Sequence, residues 1–371
     1  MKKLSLALTM LALAINITNA ASLDPTKVGL GARMIAMGRT AAAAPGDVNS
    51  IFVNPANAAY LPELGITSMY TNLSEDIAYT FLGGAKPFPL GRFGLAYLGA
   101  TSGGFQQTTV ESGRVVGTGS SFDYSSSVIC LTYGREIREN LALGTNLKLF
   151  NKGFGNVSGG TGSGFDADLG LLWLPRPKMT VGLSMQNALP SSIAAIKWGT
   201  DTKEDIPLNL KMGINFVPKN DLLLAADLDY AANNPMTFHG GVEWKPKEWL
   251  AVRGGFDQLA ASASQANTNY TAGVGFGFKG FNFDYAYYHD TLLASNAAHY
   301  FSLSYLFPPA AAKPAPAPKP EVIIEKPLPK PGLIVPPKPK AKPKPKIKKV
   351  QPKPKKALPP RPKLKRPIDR K

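Results

Sequence analysis

The sequence predicts an all-β protein: a transmembrane antiparallel β-barrel of fourteen strands, preceded by an N-terminal plug and followed by a disordered tail. Three observations predict this. Apolar residues alternate with polar or small ones in segments of about ten residues, connections are short at one end of those segments and long at the other, and the charge excess is confined to the last 64 residues.

Residues 1–20 read as a signal peptide. Lys2 and Lys3 precede the apolar run Leu4 to Ile15, and Thr18-Asn19-Ala20 offers small residues to signal peptidase. That run is too short to span a bilayer, which takes about 18 apolar residues. The only cysteine, Cys130, can form no internal disulfide and belongs to no metal-type Cys/His spacing.

The segments that alternate run over 64–71, 76–85, 91–101, 124–133, 139–150, 163–174, 178–188, 207–217, 221–231, 235–245, 248–257, 268–278, 281–289 and 298–307. Leu208, Leu210, Met212, Ile214 and Phe216, for example, interleave with Asn209, Lys211, Gly213 and Asn215. Their length matches the roughly 9–11 residues with which a tilted strand crosses a bilayer. Alternation alone would also suit a soluble sandwich, because it does not say which face is inside. The connections decide: Pro175-Arg176-Pro177, Pro246-Lys247 and Lys279-Gly280 are tight turns, whereas Ser102 to Asp123 and Leu189 to Ile206 are long. Short turns on one rim and long loops on the other are the habit of outer-membrane barrels. Tyr70, Trp173, Tyr230, Trp244, Trp249, Phe278 and Tyr305 at segment ends supply interfacial aromatics. Closure follows from the solvent, since an open strand edge in hydrocarbon would leave backbone groups unpaired.

With lipid outside, the polar face points into the lumen. Lys148, Asp166, Asp168, Lys211, Asp227, Asp229, His239, Glu243, Arg253 and Asp284 are therefore expected to line it as ion pairs that hold a plug or bias permeation. Near-neutral proton shuttles are confined to His239, His289 and His299. A dyad of His299 with Ser302 or Ser304 would lack a third group and an oxyanion hole, so no enzyme and no cofactor are expected.

Before the first strand, Gly31-Ala32-Arg33, Met37-Gly38-Arg39, Asp47 and Asn54-Pro55-Ala56 form an ordered series. It resembles the opening of the PorV/PorQ outer-membrane proteins, relatives of the fatty-acid transporter FadL. The resemblance covers about residues 28–60 and implies an N-terminal hatch, here 21–63, that plugs a fourteen-stranded barrel over 64–307. Asn57 departs from the pattern, which has glycine after Asn-Pro-Ala. FadL kinship implies passage of hydrophobic small molecules with a lateral exit; PorV kinship implies secretion-system partners or surface attachment. Independently of kinship, Asn54 suits a helix cap ahead of Pro55. Phe301, Leu303, Tyr305 and Phe307 resemble the last strand that barrel-assembly machinery recognises.

The net charge of +17 comes from residues 308–371, which hold 20 Lys/Arg, 3 Asp/Glu and 20 prolines. Such a chain buries no core and is expected to be a disordered, polyproline-rich periplasmic extension, reaching at most about 200 Å. Its charge suits peptidoglycan carboxylates, anionic lipid headgroups or an acidic periplasmic partner; the compartment, not the chemistry, disfavours nucleic acid. A purely structural reading makes the barrel an anchor and the tail a tether to the wall.

Overall fold

The computed structural model describes residues 24–74, 77–232, 234–262, 264–291 and 297–308. The expected signal peptide and residues 309–371 of the tail lie outside the described residues.

The strands are β1 (Gly65–Ser74), β2 (Ile77–Phe88), β3 (Gly91–Glu111), β4 (Arg114–Arg138), β5 (Leu141–Phe154), β6 (Thr161–Arg176), β7 (Met179–Gln186), β8 (Ala195–Trp198) and β9 (Lys203–Asp205). They continue with β10 (Asn209–Lys219), β11 (Leu222–Ala231), β12 (Thr237–Lys247), β13 (Leu250–Ala260), β14 (Ala266–Phe278), β15 (Phe281–His289) and β16 (Ala297–Leu306). All but β8 and β9 form one antiparallel ring of fourteen. It closes where β1 meets β16, with Gly65 opposite Leu306 and Tyr70 opposite Phe301. Each of the fourteen expected segments is a strand of this ring.

Orientation follows the expected rule. On β10, Met212, Ile214 and Phe216 are exposed on the outside, whereas Lys211 and Gly213 are buried inside. Trp173, Trp244, Trp249 and Phe278 face outward at the ends of strands. The outer surface is thus an apolar band edged by aromatics, and the protein is an outer-membrane barrel.

Two stretches expected to be long loops are ordered. Ser102 to Asp123 is a two-stranded ribbon that continues β3 and β4 past the rim and turns at Ser112-Gly113. Within Leu189 to Ile206, β8 and β9 form a small hairpin, and Trp198 pairs with Gly162 of β6. Period-two patterning is weak in both, because neither has one face on lipid and one on a lumen.

Residues 24–63 form short turns and one helix, α1 (Ala32–Ala36), packed against the inward faces of the strands. Asn54 accepts the Ala56 N–H at 3.1 Å and caps the 3-10 helix Pro55–Tyr60. Ala41, Ala42 and Ala43 are fully or almost fully buried.

The inward face is not uniformly polar. On β2 to β5 it carries Tyr79, Phe81, Leu98, Val128 and Phe150, all buried. These pack with Leu30, Ile35, Ile51 and Phe52 of the plug and with Ile196 of β8. Apolar side chains on both faces of β2 to β4 break the expected alternation. The plug's own apolar side chains need dry partners, and this sector supplies them.

Candidate functional site

The site is the seat of the plug. The polar sector of the lumen, β10 to β15, holds it by two clusters of buried charge.

The first centres on Glu243 of β12. Arg33 of α1 forks onto it, Nε to Oε2 at 2.8 Å and Nη2 to Oε1 at 3.1 Å. Arg253 of β13 donates Nε to the same carboxylate at 2.7 Å and Nη1 to Asp284 Oδ1 at 2.6 Å. Arg33 also reaches Asp47 Oδ2 within the plug. Two guanidiniums and three carboxylates alternate, so each buried charge has an opposite neighbour, as burial demands. Beside this network lies a cavity of about 310 Å³ that opens at the short-turn rim, bounded by Asp47, Lys245, Trp249 and Tyr305.

The second cluster seats the backbone. Asp227 Oδ2 accepts the N–H groups of Ala41 and Ala42 at 2.8 and 2.9 Å. Lys211 Nζ lies 2.7 Å from Asp229 Oδ1 and 3.9 Å from Asp227. His239 Nδ1 approaches Asp257 Oδ1 at 2.7 Å, and Arg39 Nε lies 3.3 Å from Asp257 Oδ2. Arg39 holds a left-handed backbone, φ 62°, directly after Gly38 at φ 65°. A Cβ on Gly38 would collide with the carbonyl oxygen of Phe256, so the reversal that aims Arg39 requires glycine there.

A third set, on β5 and β6, serves a loop. Lys148 Nζ pairs with Asp168 Oδ1 at 2.8 Å and donates to Asn187 at 3.1 Å. Asp166 Oδ1 accepts from Ala167 N at 2.7 Å and Leu189 N at 3.1 Å. These residues fasten the start of the 187–208 connection, not the plug.

Among the motif residues, Ala32 N donates to Ser302 Oγ at 3.1 Å, and Gly38 N donates to Thr271 Oγ1 at 3.2 Å. Asn54 Nδ2 donates to Ala42 O at 2.6 Å and to Leu171 O at 3.2 Å. Gly31 is left-handed, φ 93°, and a Cβ there would strike the Asn49 side chain. Met37 presents its backbone to Gly241, whose missing side chain makes room. Pro55 presents its backbone to Gly144 in the same way, and its ring lies against Gly170. Asn57, the departure from the pattern, donates Nδ2 to Ala41 O at 2.9 Å and Ser50 Oγ at 3.1 Å, bracing the alanine run from below.

Sequence reasoning missed the wall glycines. Gly144, Gly170, Gly182 and Gly241 all face inward; at Gly144, Gly182 and Gly241 plug backbone touches strand backbone, and Gly170 makes room for the Asn54 side chain. Read one strand at a time, they looked like neutral members of the polar face. It also missed a chain of rings at the long-loop mouth. Phe105 stacks on Phe122 at 5.6 Å, Tyr124 lies 4.7 Å from Phe154, and Phe154 stacks on Trp198 at 5.6 Å. His299 points outward to Tyr285 Oη at 2.8 Å, while Ser302 and Ser304 are buried on the other face. The imagined dyad therefore has its members on opposite sides of one strand.

A closed barrel, greasy outside and with an N-terminal segment packed against its inner wall, defines the class: an outer-membrane β-barrel. Solved channels share the fold. The chain matches the CymD monoaromatic hydrocarbon channel with a TM-score of 0.56 at 12% identity, over 76% of this chain and 98% of that one. It matches the Pseudomonas putida toluene transporter TodX with a TM-score of 0.53 at 14% identity, over 75% and 99%. For the Ralstonia pickettii toluene transporter TbuX the values are 0.50 and 15%, over 75% and 98%. At these identities the likeness is one of fold: the chain has the architecture of hydrocarbon-channel barrels. No family model and no curated protein matches the sequence.

Proposed function

We propose that the barrel admits hydrophobic small molecules, taken up at the long-loop mouth and passed along the β2 to β5 side of the plug. The observation that carries this is the division of the lumen. One sector is ionic and grips the plug; another is apolar, from Phe154 and Trp198 at the mouth through Phe150 to Leu98 and Phe81, and it borders the Lys148–Asp168 pair on β5 and β6. An apolar solute loses little by leaving water there, whereas the ionic sector would have to be desolvated. The match in fold to channels whose names specify toluene and monoaromatic hydrocarbons supports the same substrate class.

A lateral exit is part of this reading. On the lipid side, Ser68 and Gly84 floor an apolar depression of about 680 Å³ flanked by Leu82, Leu95, Tyr97 and Leu303. Behind it Gly83 faces Phe52 of the plug, which meets Phe81 edge-on at 5.7 Å. Passage from lumen to depression takes displacement of Phe52 together with parting of β2 from a neighbouring strand, since Gly83 is paired opposite Thr67 and Ala96. Cells expressing the chain should take up labelled toluene or fatty acid several-fold faster than cells without it, and Phe150→Asp should abolish the gain. Uptake equal to that of the empty strain would sink the channel reading.

The second reading is a barrel that binds partners and conducts nothing, in secretion, surface attachment or tethering to the wall. The motif series over residues 28–60 and the tight seat of the plug favour it. The +17 of the tail favours a wall tether in particular. Removing residues 308–371 should then reduce co-sedimentation with purified peptidoglycan by at least about tenfold at low salt; undiminished binding would refute the tether.

A further inference from the structure

The two rims of the barrel carry opposite charge. Among the described residues, the connections at the long-loop rim, with their flanking residues, hold four Lys/Arg and six Asp/Glu, a net of −2. The short turns and their flanks, counted with Glu63, hold ten Lys/Arg and five Asp/Glu, a net of +5. The excess is distributed rather than clustered. Each of the six short turns contributes an exposed cation: Lys86, Arg138, Arg176, Lys219, Lys247 and Lys279. Among the described residues, none of these six has a carboxylate within ion-pair distance.

Their depth is marked by the rings beside them. Lys86 Nζ lies 5.6 Å from the centroid of Phe88, and Lys279 Nζ lies 5.2 Å from that of Phe278. Phe278 is 70% exposed and Phe88 49%, both on the outer surface. Trp173, Trp244 and Trp249 are exposed on the same rim. Aromatic belts of this kind settle at the level of lipid headgroups. The cations are therefore carried at headgroup depth around the perimeter, one to a turn.

We propose that this rim is a girdle for anionic phospholipid headgroups in the periplasmic leaflet of the outer membrane. Charge complementarity picks the ligand chemistry, a phosphate monoanion. The perimeter placement picks the lipid over a wall polymer or an acidic protein, because single cations spaced around the wall meet single headgroups. Lysine and arginine near a membrane surface attract anionic lipid additively and within a Debye length, so the effect is strongest at low salt. The girdle fixes the depth of the barrel and enriches anionic lipid around the plug's open underside.

The test uses the tryptophans already on that rim. Full-length Trp198→Phe protein, which lacks the tryptophan of the opposite mouth, is reconstituted in phosphatidylcholine bilayers containing brominated phosphatidylglycerol or brominated phosphatidylcholine, and quenching of Trp173, Trp244 and Trp249 is measured. At low salt, brominated phosphatidylglycerol should quench at about half the mole fraction that phosphatidylcholine requires. The preference should vanish at about 0.5 M salt. It should also vanish when the six cations are replaced together (Lys86→Gln, Arg138→Gln, Arg176→Gln, Lys219→Gln, Lys247→Gln, Lys279→Gln). Exchanging lysine and arginine at the same six positions should keep it, and heat-modifiable migration verifies that each variant has folded. Equal quenching by both lipids in the Trp198→Phe parent would overturn the proposal. So would a preference that survives in the six-glutamine variant, or one that soluble peptidoglycan fragments abolish, since the rim would then select the wall.

Discussion

Replacing Glu243 by alanine should loosen the plug more than any other single change of charge, at a cost of about 3–5 kcal/mol. The reason is position. Glu243 is 2% exposed and is the one carboxylate shared by Arg33 and Arg253. Its loss leaves Arg253, itself 7% exposed, with Asp284 alone, and strips Arg33 of its bidentate partner. Arg33 keeps some contact with water, its side chain being 23% exposed, so the effect should fall toward the lower end of that range. Hydrogen exchange on the full-length barrel is the measurement: amides of residues 31–47 should lose protection while the strands keep theirs. Glu248→Ala, on an exposed turn of the same rim, should change nothing beyond about 0.5 kcal/mol. If Glu243→Ala leaves plug protection intact, the ion network does not hold the plug.

Gly182→Val should expel the plug outright. A Cβ on Gly182 would overlap the carbonyl oxygen of Ala42, and the plug backbone there has no freedom to retreat. Ala41 and Ala42 both donate to Asp227, and Asn54 donates to Ala42 O. Relieving the clash means breaking these bonds, each about 1.5–3 kcal/mol where a charged group is involved, on top of an overpacking cost of about 1–3 kcal/mol. Single-channel recording in planar bilayers should then show large, persistent openings that the parent lacks. Gly254→Ala is the matched control, because its Cβ would find no atom nearer than 3.9 Å. A closed Gly182→Val barrel would mean that the plug can shift on its seat, and that the wall glycines are incidental.

The motif series over residues 31–56 and the lumenal charges were both legible in the sequence, but not their pairing. Arg33 and Glu243 are 210 residues apart, and the sequence carries no sign that they meet. Asp166, Asp168 and Lys148 have the same residue types and parity as Asp227, Asp229 and Lys211. Yet the first set fastens a loop and the second seats the plug. The apolar inward face of β2 to β4 was hidden for a related reason. Where both faces of a strand are greasy, period two no longer distinguishes lipid from lumen.

Strand number, the parity of the ends and, outside β2 to β4, the outward set of side chains were legible in the sequence alone. Those depend on local alternation and turn chemistry, which every ten-residue segment states for itself, and on a solvent that forbids open edges. Closure decided the rest. Only when β1 pairs with β16 does an enclosed space exist, with one charged and one apolar wall, and only then do the glycines of β5 to β7 and of β12 become a socket for one segment. Contacts of that kind depend on which strands face each other across the lumen, a distance that no single strand encodes.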